Sequence, residues 1–233
     1  MAKALEVEHL WQAYRRDRRG ALSGAGSQWA LKDISFCAES GEMLGIIGAN
    51  GSGKTTLLRS IAGILRPDKG QVSVAGRVAS VTELGPKLDR DFSGREEMLI
   101  RGVLFGLTRS ELRARQDDIL TLSGLDRDDL EQPMRTYSAG MALRLAVAVA
   151  LNSSPKLVVI DDVLAASDEE FLGRAFGRMD ELRHDGSLAI IASHDLDLIS
   201  SHCDRVVLLD QGSLQFTGPP SAALEYRSRE RAS

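Results

Sequence analysis

Residues Gly48-Ala49-Asn50-Gly51-Ser52-Gly53-Lys54-Thr55 fill every fixed position of the spacing G-x-x-x-x-G-K-T. The glycines Gly48, Gly51 and Gly53 let successive backbone N–H groups turn inward around an anion, and a helix beginning near Gly53 adds the positive end of its dipole. Lys54 is placed to reach the β- and γ-phosphates of a nucleotide, and the Thr55 hydroxyl to ligate the Mg²⁺ that travels with them. The apolar run Met43 to Ile47 precedes the loop and Thr56-Leu57-Leu58 follows it. This is the pattern of strand, phosphate loop and helix, and it predicts an α/β core. An ordinary glycine-rich turn would not need all of these positions filled.

The rest of the composition narrows the class. At 233 residues the chain is long enough for one large domain, or one domain carrying an insert. Its formal charge of -4 argues against a nucleic-acid partner, which generally asks for excess Lys and Arg. Cys37 and Cys203 lie far apart with no C-x-x-C spacing, so both are expected as buried free thiols in a reducing cytoplasm. The amino end has no long apolar stretch behind its charge, and Ala142 to Leu151 is about half the roughly 20 residues of a spanning helix. The expectation is a soluble chain whose membrane role comes through a partner.

Along the chain, Leu5 to His9 and the segment around Leu31, Ile34 and Phe36 read as strands, separated by a solvated loop from Arg15 to Gln28 that starts with four arginines around Asp17. An anionic membrane surface or an acidic partner patch is the alternative reading of that loop. Gln71 to Ala75 and Val78 to Val81 are predicted strands on either side of Gly76. Helical spacing follows over Gly94 to Phe105 and Ser110 to Leu122, the latter with a Thr108/Glu111 capping box. The stretch from about 86 to 154 is too long for a plain loop and is expected as an inserted α-helical subdomain.

Lys156 to Ile160 and Ser187 to Ala192 are continuous apolar runs, the mark of parallel strands buried on both faces. Between them Phe171, Leu172, Ala175, Phe176, Met179 and Leu182 fall on one helical face, giving a strand, helix, strand crossover. A helix from Asp195 to His202, a strand from Arg205 to Leu209, a turn at Asp210-Gln211-Gly212, a last strand and a helix from Ser221 complete the reading.

Ligands of a parallel sheet sit off the carboxyl ends of its strands, which collects Gly48, Asp161 and His194 at one edge. Asp161 has the form of a Walker B carboxylate that holds Mg²⁺, and Asp162 beside it is a candidate for orienting or deprotonating the attacking water. His194 is a candidate γ-phosphate contact; a structural histidine is the alternative. Tyr137-Ser138-Ala139-Gly140-Met141 opens an apolar helix and forms a second phosphate-binding terminus, with Ser138 as N-cap and Gly140 allowing close approach.

In this order the motifs resemble those of ABC transporter ATPase subunits over essentially the whole chain. Thr82-Glu83-Leu84-Gly85, Phe92-Ser93-Gly94-Arg95-Glu96-Glu97, Thr136 to Leu145, Asp161 to Asp168 and Cys203-Asp204-Arg205 narrow the resemblance to the branch that exports O-antigen, capsule or teichoic acid. The resemblance implies a P-loop NTPase core with a mostly parallel sheet, N-terminal antiparallel strands and the helical insert. It implies ATP and Mg²⁺ as cofactors, with Tyr14 stacking on adenine and Asn50, Gly51, Ser52 and Thr56 completing the phosphate loop. Thr55, Asp161 and Glu83 would serve the metal, with Asp162, His194 and Glu83 as catalytic residues. Ser138, Gly140 and Asp168 would act across a homodimer interface. The implied partners are an integral-membrane permease and the lipid-linked glycan it handles, with no nucleic acid, and the implied place is the cytoplasmic side of the membrane.

Two departures stand out. Asp162 occupies the usual position of a catalytic Glu, and Ala166-Ser167 precedes the D-loop Asp where the branch usually has Val-Gly. No carbohydrate-binding domain is expected in the stretch of sequence present. Three rivals are a P-loop phosphotransferase with an acceptor lid, a nucleic-acid ATPase of the same superfamily, and an ATP-gated dimer that barely hydrolyses.

Overall fold

The computed structural model describes residues 2–14, 28–81, 91–161, 167–223 and 225. The elements that follow all lie within those residues. Strands β1 (Lys3–Tyr14), β2 (Gln28–Glu39) and β4 (Lys69–Val74) form an antiparallel sheet in the order β2-β1-β4. A second sheet runs β5-β6-β7-β3-β8-β9, from β5 (Val78–Val81), β6 (Leu157–Ile160), β7 (Leu188–Ala192), β3 (Met43–Gly48), β8 (Arg205–Asp210) and β9 (Ser213–Gly218). Its first five strands are parallel, and β9 is antiparallel to β8.

The continuous apolar runs have a direct cause. Successive strand residues point to opposite faces, and both faces of this sheet are covered. Leu157 and Val159 join the core with α1 (Lys54–Ile61) and the three-stranded sheet, whereas Val158 and Ile160 join the core with the helical layer. Leu188 and Ile190 divide from Ala189 and Ile191 in the same way. Each fully buried Val, Leu or Ile is worth roughly 1.5–3 kcal/mol, so neither face of such a strand tolerates polar residues.

Between β5 and β6 lie α2 (Gly94–Leu104), α3 (Arg109–Ala114), α4 (Gln116–Ser123), α5 (Arg127–Glu131), a 3₁₀ turn at Met134–Thr136 and α6 (Ala139–Leu151). Caps fix their starts. Ser93 with Glu96, Thr108 with Glu111 and Asp126 with Asp129 each form a capping box. The predicted single helix from Ser110 to Leu122 is instead two. The helix is interrupted at Arg115, which leaves helical geometry at φ -102 and ψ 2, while its guanidinium reaches the Asn152 carbonyl and the Ser154 hydroxyl beyond α6.

Beyond β6 come α7 (Glu169–His184) and α8 (Leu196–His202), and a further helical turn starts at residue 220. The α7 face reads as the spacing predicts, with Phe171, Ala175, Phe176, Met179 and Leu182 buried and Leu172 packed at the edge of that core.

Two more expectations need correction. β1 extends well past His9, because bulges at Val7/Leu10 and Leu10/Gln12, with His9 at φ 48, interrupt the alternation without ending the pairing. Cys37 is exposed, since it sits on the outward side of β2 between the inward Phe36 and Ala38; Cys203 is buried as expected.

Candidate nucleotide-binding site

The strand order β6-β7-β3 places the carboxyl ends of three parallel neighbours side by side. Gly48 ends β3, Asp161 follows β6 and His194 lies two residues past β7, so all three stand at one sheet edge.

The loop after β3 is shaped by its glycines. At Gly48, φ is 154 and a Cβ would lie 2.3 Å from the Leu209 carbonyl oxygen and 2.5 Å from the Ser52 hydroxyl. At Gly53, φ is 108 and a Cβ would meet the Ala30 carbonyl oxygen at 2.8 Å. The loop is thus pressed against β8 and β2, and only glycine fits. Helix α1 starts from left-handed Gly53 with no side-chain cap, unlike α2, α3, α5, α6, α7 and α8. Its first N–H groups are left for an anion. Lys54 is buried, and its ammonium donates to the Gly48 and Ala49 carbonyls at 2.9 and 3.2 Å. The Ser52 hydroxyl is buried with no hydrogen-bond partner among the described residues. An inward-turned loop with a sequestered cation and an orphaned hydroxyl suits a phosphate chain.

A cleft of ≈ 1040 Å³ opens on this loop. Asn50, Gly51, Gly53, Lys54, Thr55 and Thr56 line it, and Asp161 and Tyr14 face the same space. Tyr14 is 47% exposed, and its hydroxyl lies 3.2 Å from the Thr56 hydroxyl, which ties the end of β1 to α1. Asp161 is buried, and its N–H donates to Val81 O at the end of β5. Thr55 and Asp161 offer oxygen donors to one space, which fits Mg²⁺, an ion that takes one or two protein oxygens beside phosphate and water. Glu83 and Asp162 lie outside the described residues, as do residues 15–27 of the basic loop.

Sequence reasoning missed one wall of this cleft. Trp29, Ala30 and Lys32 of β2 and the turn residues Gln211 and Gly212 also line it. Backbone bonds from Lys32 N to Gly212 O (2.7 Å) and from Gly212 N to Ser52 O (3.0 Å) join the turn, β2 and the phosphate loop. No local pattern announces this meeting; only the Gln211-Gly212 turn signal was readable.

Ser138, Gly140, Asp168 and His194 do not line this cleft. Ser138 caps α6 by accepting from Met141 N at 3.1 Å, and Ser138, Ala139 and Gly140 are all exposed. The approach is held from behind: the Tyr137 hydroxyl donates to Asp129 O at 2.8 Å and occupies the space a Cβ on Gly94 would need. Thus Phe92 to Glu97 supports the helix start, with Met134 N donating to Phe92 O and Gly94 N to Gln132 O. Asp168 caps α7; the Phe171 N–H foremost, and then Arg144, hold its carboxyl below the usual range. His194 is exposed at the sheet edge. Cys203-Asp204-Arg205 lies at the opposite end of the strands, where Asp204 accepts from Met43 N and Arg183, and Arg205 binds Glu42 and the Cys37 carbonyl. Its role is to lock strand starts.

Residues 31–165 match the family model described as ABC transporter. The chain is 40% identical over 199 residues to the O-antigen export system ATP-binding protein RfbB of Myxococcus xanthus, covering 85% of this chain and 45% of that protein. It is 35% identical to the RfbB protein of Klebsiella pneumoniae, covering 87% and 82%. It is 33% identical to the teichoic acids export ATP-binding protein TagH of Lactococcus lactis, covering 91% and 46%. The chain spans about half the length of two of these relatives, the Myxococcus RfbB and TagH proteins. Among solved structures, an ATP binding subunit of an ABC transporter superposes with a TM-score of 0.81 at 24% identity, covering 97% of this chain and 93% of that one. The dimeric post-hydrolysis cassette MJ0796 superposes at 0.80 and 19% identity, covering 93% and 98%. With the family model covering residues 31–165 and relatives up to 40% identical, this chain is a member of the ABC transporter family.

Proposed function

We propose that this chain is the ATP-hydrolysing subunit of an exporter that moves a lipid-linked polysaccharide of O-antigen, capsule or teichoic-acid type across the cytoplasmic membrane. It works as a homodimer, peripheral on the cytoplasmic side and docked on an integral-membrane permease. Among the described residues no helix is long and apolar enough to cross a membrane, which fits a subunit that reaches the bilayer through a partner. The glycan class is supported by the named activities of the O-antigen and teichoic-acid relatives.

The observation that carries the mechanism is the split of the phosphate-binding parts. The cleft holds Gly51, Gly53 to Thr56 and Asp161, while the second phosphate-binding terminus, Ser138 to Gly140, is exposed and outside it. A second copy brings its Ser138 and Gly140 to close each site, so two ATP molecules lie between two chains. Lys54 neutralises the β- and γ-phosphates, and Tyr14 packs against the base. Thr55 and Asp161 would hold Mg²⁺, which when bound would supply charge neutralisation at the γ-phosphate. Asp162 orients the attacking water, and His194 and Glu83 act at the γ-phosphate. Dimer closure moves the surface from Glu83 to Ser93 and passes motion to the permease.

Mixing chains tests this reading. Lys54→Ala and Ser138→Arg proteins are each inactive as homodimers, and a mixed dimer recovers one intact site. No recovered hydrolysis in verified mixed dimers rejects the composite site. For the substrate class, cells lacking this subunit accumulate lipid-linked glycan inside; unchanged surface polysaccharide rejects it.

A further inference from the structure

We propose that Trp29 is a second aromatic wall of the base subsite, so that the nucleobase is read by an indole from β2 as well as by Tyr14. This assignment rests on the nucleotide-binding reading above and names a residue that reading does not use. Trp29 lines the cleft that Tyr14 also lines. Its ring is held from two other strands. Trp11 of β1 meets it edge to face, with centroids 5.2 Å apart and planes at 78°. The Lys69 ammonium at the start of β4 stands 5.4 Å from both indole centroids.

Three strands thus fix one aromatic surface before any ligand arrives, and a ring already immobilised loses little conformational freedom on binding. An indole wall gives nothing to a phosphate, but its apolar face matches a heteroaromatic base, and a purine overlaps more of it than a pyrimidine. Neither Trp11 nor Lys69 lines the cleft, so their part is to position Trp29.

Calorimetry on the full chain with Mg·ATP, Mg·CTP and Mg·tripolyphosphate separates base from phosphate binding. Trp29→Ala is expected to weaken ATP about thirtyfold, the middle of the range for loss of one base-stacking aromatic, and to leave tripolyphosphate within about twofold. Its preference for ATP over CTP falls, and Trp29→Phe shows a smaller loss. In a Trp11→Phe protein, Trp29 is the sole tryptophan, and its emission changes with ATP but not with tripolyphosphate. ATP binding by Trp29→Ala equal to wild type, or equal losses for ATP and tripolyphosphate, overturns the assignment while the phosphate loop stands. A wild-type chain that binds neither ligand overturns the nucleotide reading and this assignment with it. Should Trp29→Ala fail to fold, the Trp29→Phe affinity and the Trp11→Phe emission decide.

Discussion

Arg144 on the second turn of α6 donates to the Asp168 carboxylate at 3.2 Å, joining the helix that begins at Ser138 to the cap of α7. The pair thus links the two motifs proposed to face the partner chain. The pair is partly exposed, with side chains 26% and 54% accessible, and such pairs contribute only about 0–1 kcal/mol to stability. Arg144→Ala should leave the melting temperature nearly unchanged. It should lower ATP turnover on the order of tenfold, because small misplacements of groups around a reacting phosphate are costly. A fall in melting temperature with full turnover per folded molecule would show a purely structural contact.

The loop glycines are not equivalent. Gly48→Ala drives a Cβ into the Leu209 backbone, whereas a Cβ on Gly51 meets nothing within 4 Å. Gly51 still has φ 79, a conformation that costs a non-glycine residue about 1–2 kcal/mol. Gly48→Ala adds overpacking to its backbone strain, with overpacking alone typically costing about 1–3 kcal/mol. Denaturant titration should rank Gly48→Ala as clearly less stable than Gly51→Ala. The reverse order would mean that β8 does not brace the loop.

The two thiols should separate by reactivity, the buried Cys203 being the slower. Burial, and then the neighbouring Asp204 charge, push the Cys203 thiol up to about 12. Burial, then the Asp129 and Asp126 charges, push the Tyr137 hydroxyl up to about 12. Their ordinary values are 9.0 and 10.0, so the folded chain binds more protons than the unfolded one between those values and about 12. The stability they contribute is whole below pH 9 and is lost as pH rises through 12. Denaturation midpoints should fall from pH 8 to 11; a rise would contradict the assignment. At pH 8 a thiol reagent should label exposed Cys37 at once and Cys203 only after unfolding.

Asp162 carries the reading of turnover. Compared with Glu it is shorter by one methylene, roughly 1.5 Å of reach, and a displacement of about 1 Å can cost on the order of a hundredfold in rate. Slow hydrolysis is expected, with Asp162→Asn abolishing it and trapping an ATP-bound dimer, and Asp162→Glu speeding it. Wild-type turnover by Asp162→Asn removes the residue from the mechanism. Slower turnover by Asp162→Glu means that the site is built around the shorter side chain.

Local chemistry was legible in the sequence wherever it is enforced locally. The glycines of the phosphate loop, the cap at Ser138, the Thr108/Glu111 capping box and the apolar runs of β6 and β7 each follow from backbone geometry or two-sided burial within a few residues. Parallel strands then carry Gly48, Asp161 and His194 to one edge, since ligand sites follow strand direction. Other features depend on contacts between distant segments. Arg115 interrupts a helical run where its guanidinium meets Asn152 and Ser154 beyond α6, and β1 continues through bulges because β2 and β4 pair with it on both sides. Trp29 reaches the cleft because β2 passes close enough to Gly53 for the Ala30 carbonyl to exclude any side chain there. Periodicity encodes which face of an element is buried; which distant backbone comes to lie against that face is decided by the order of strands in the folded sheets.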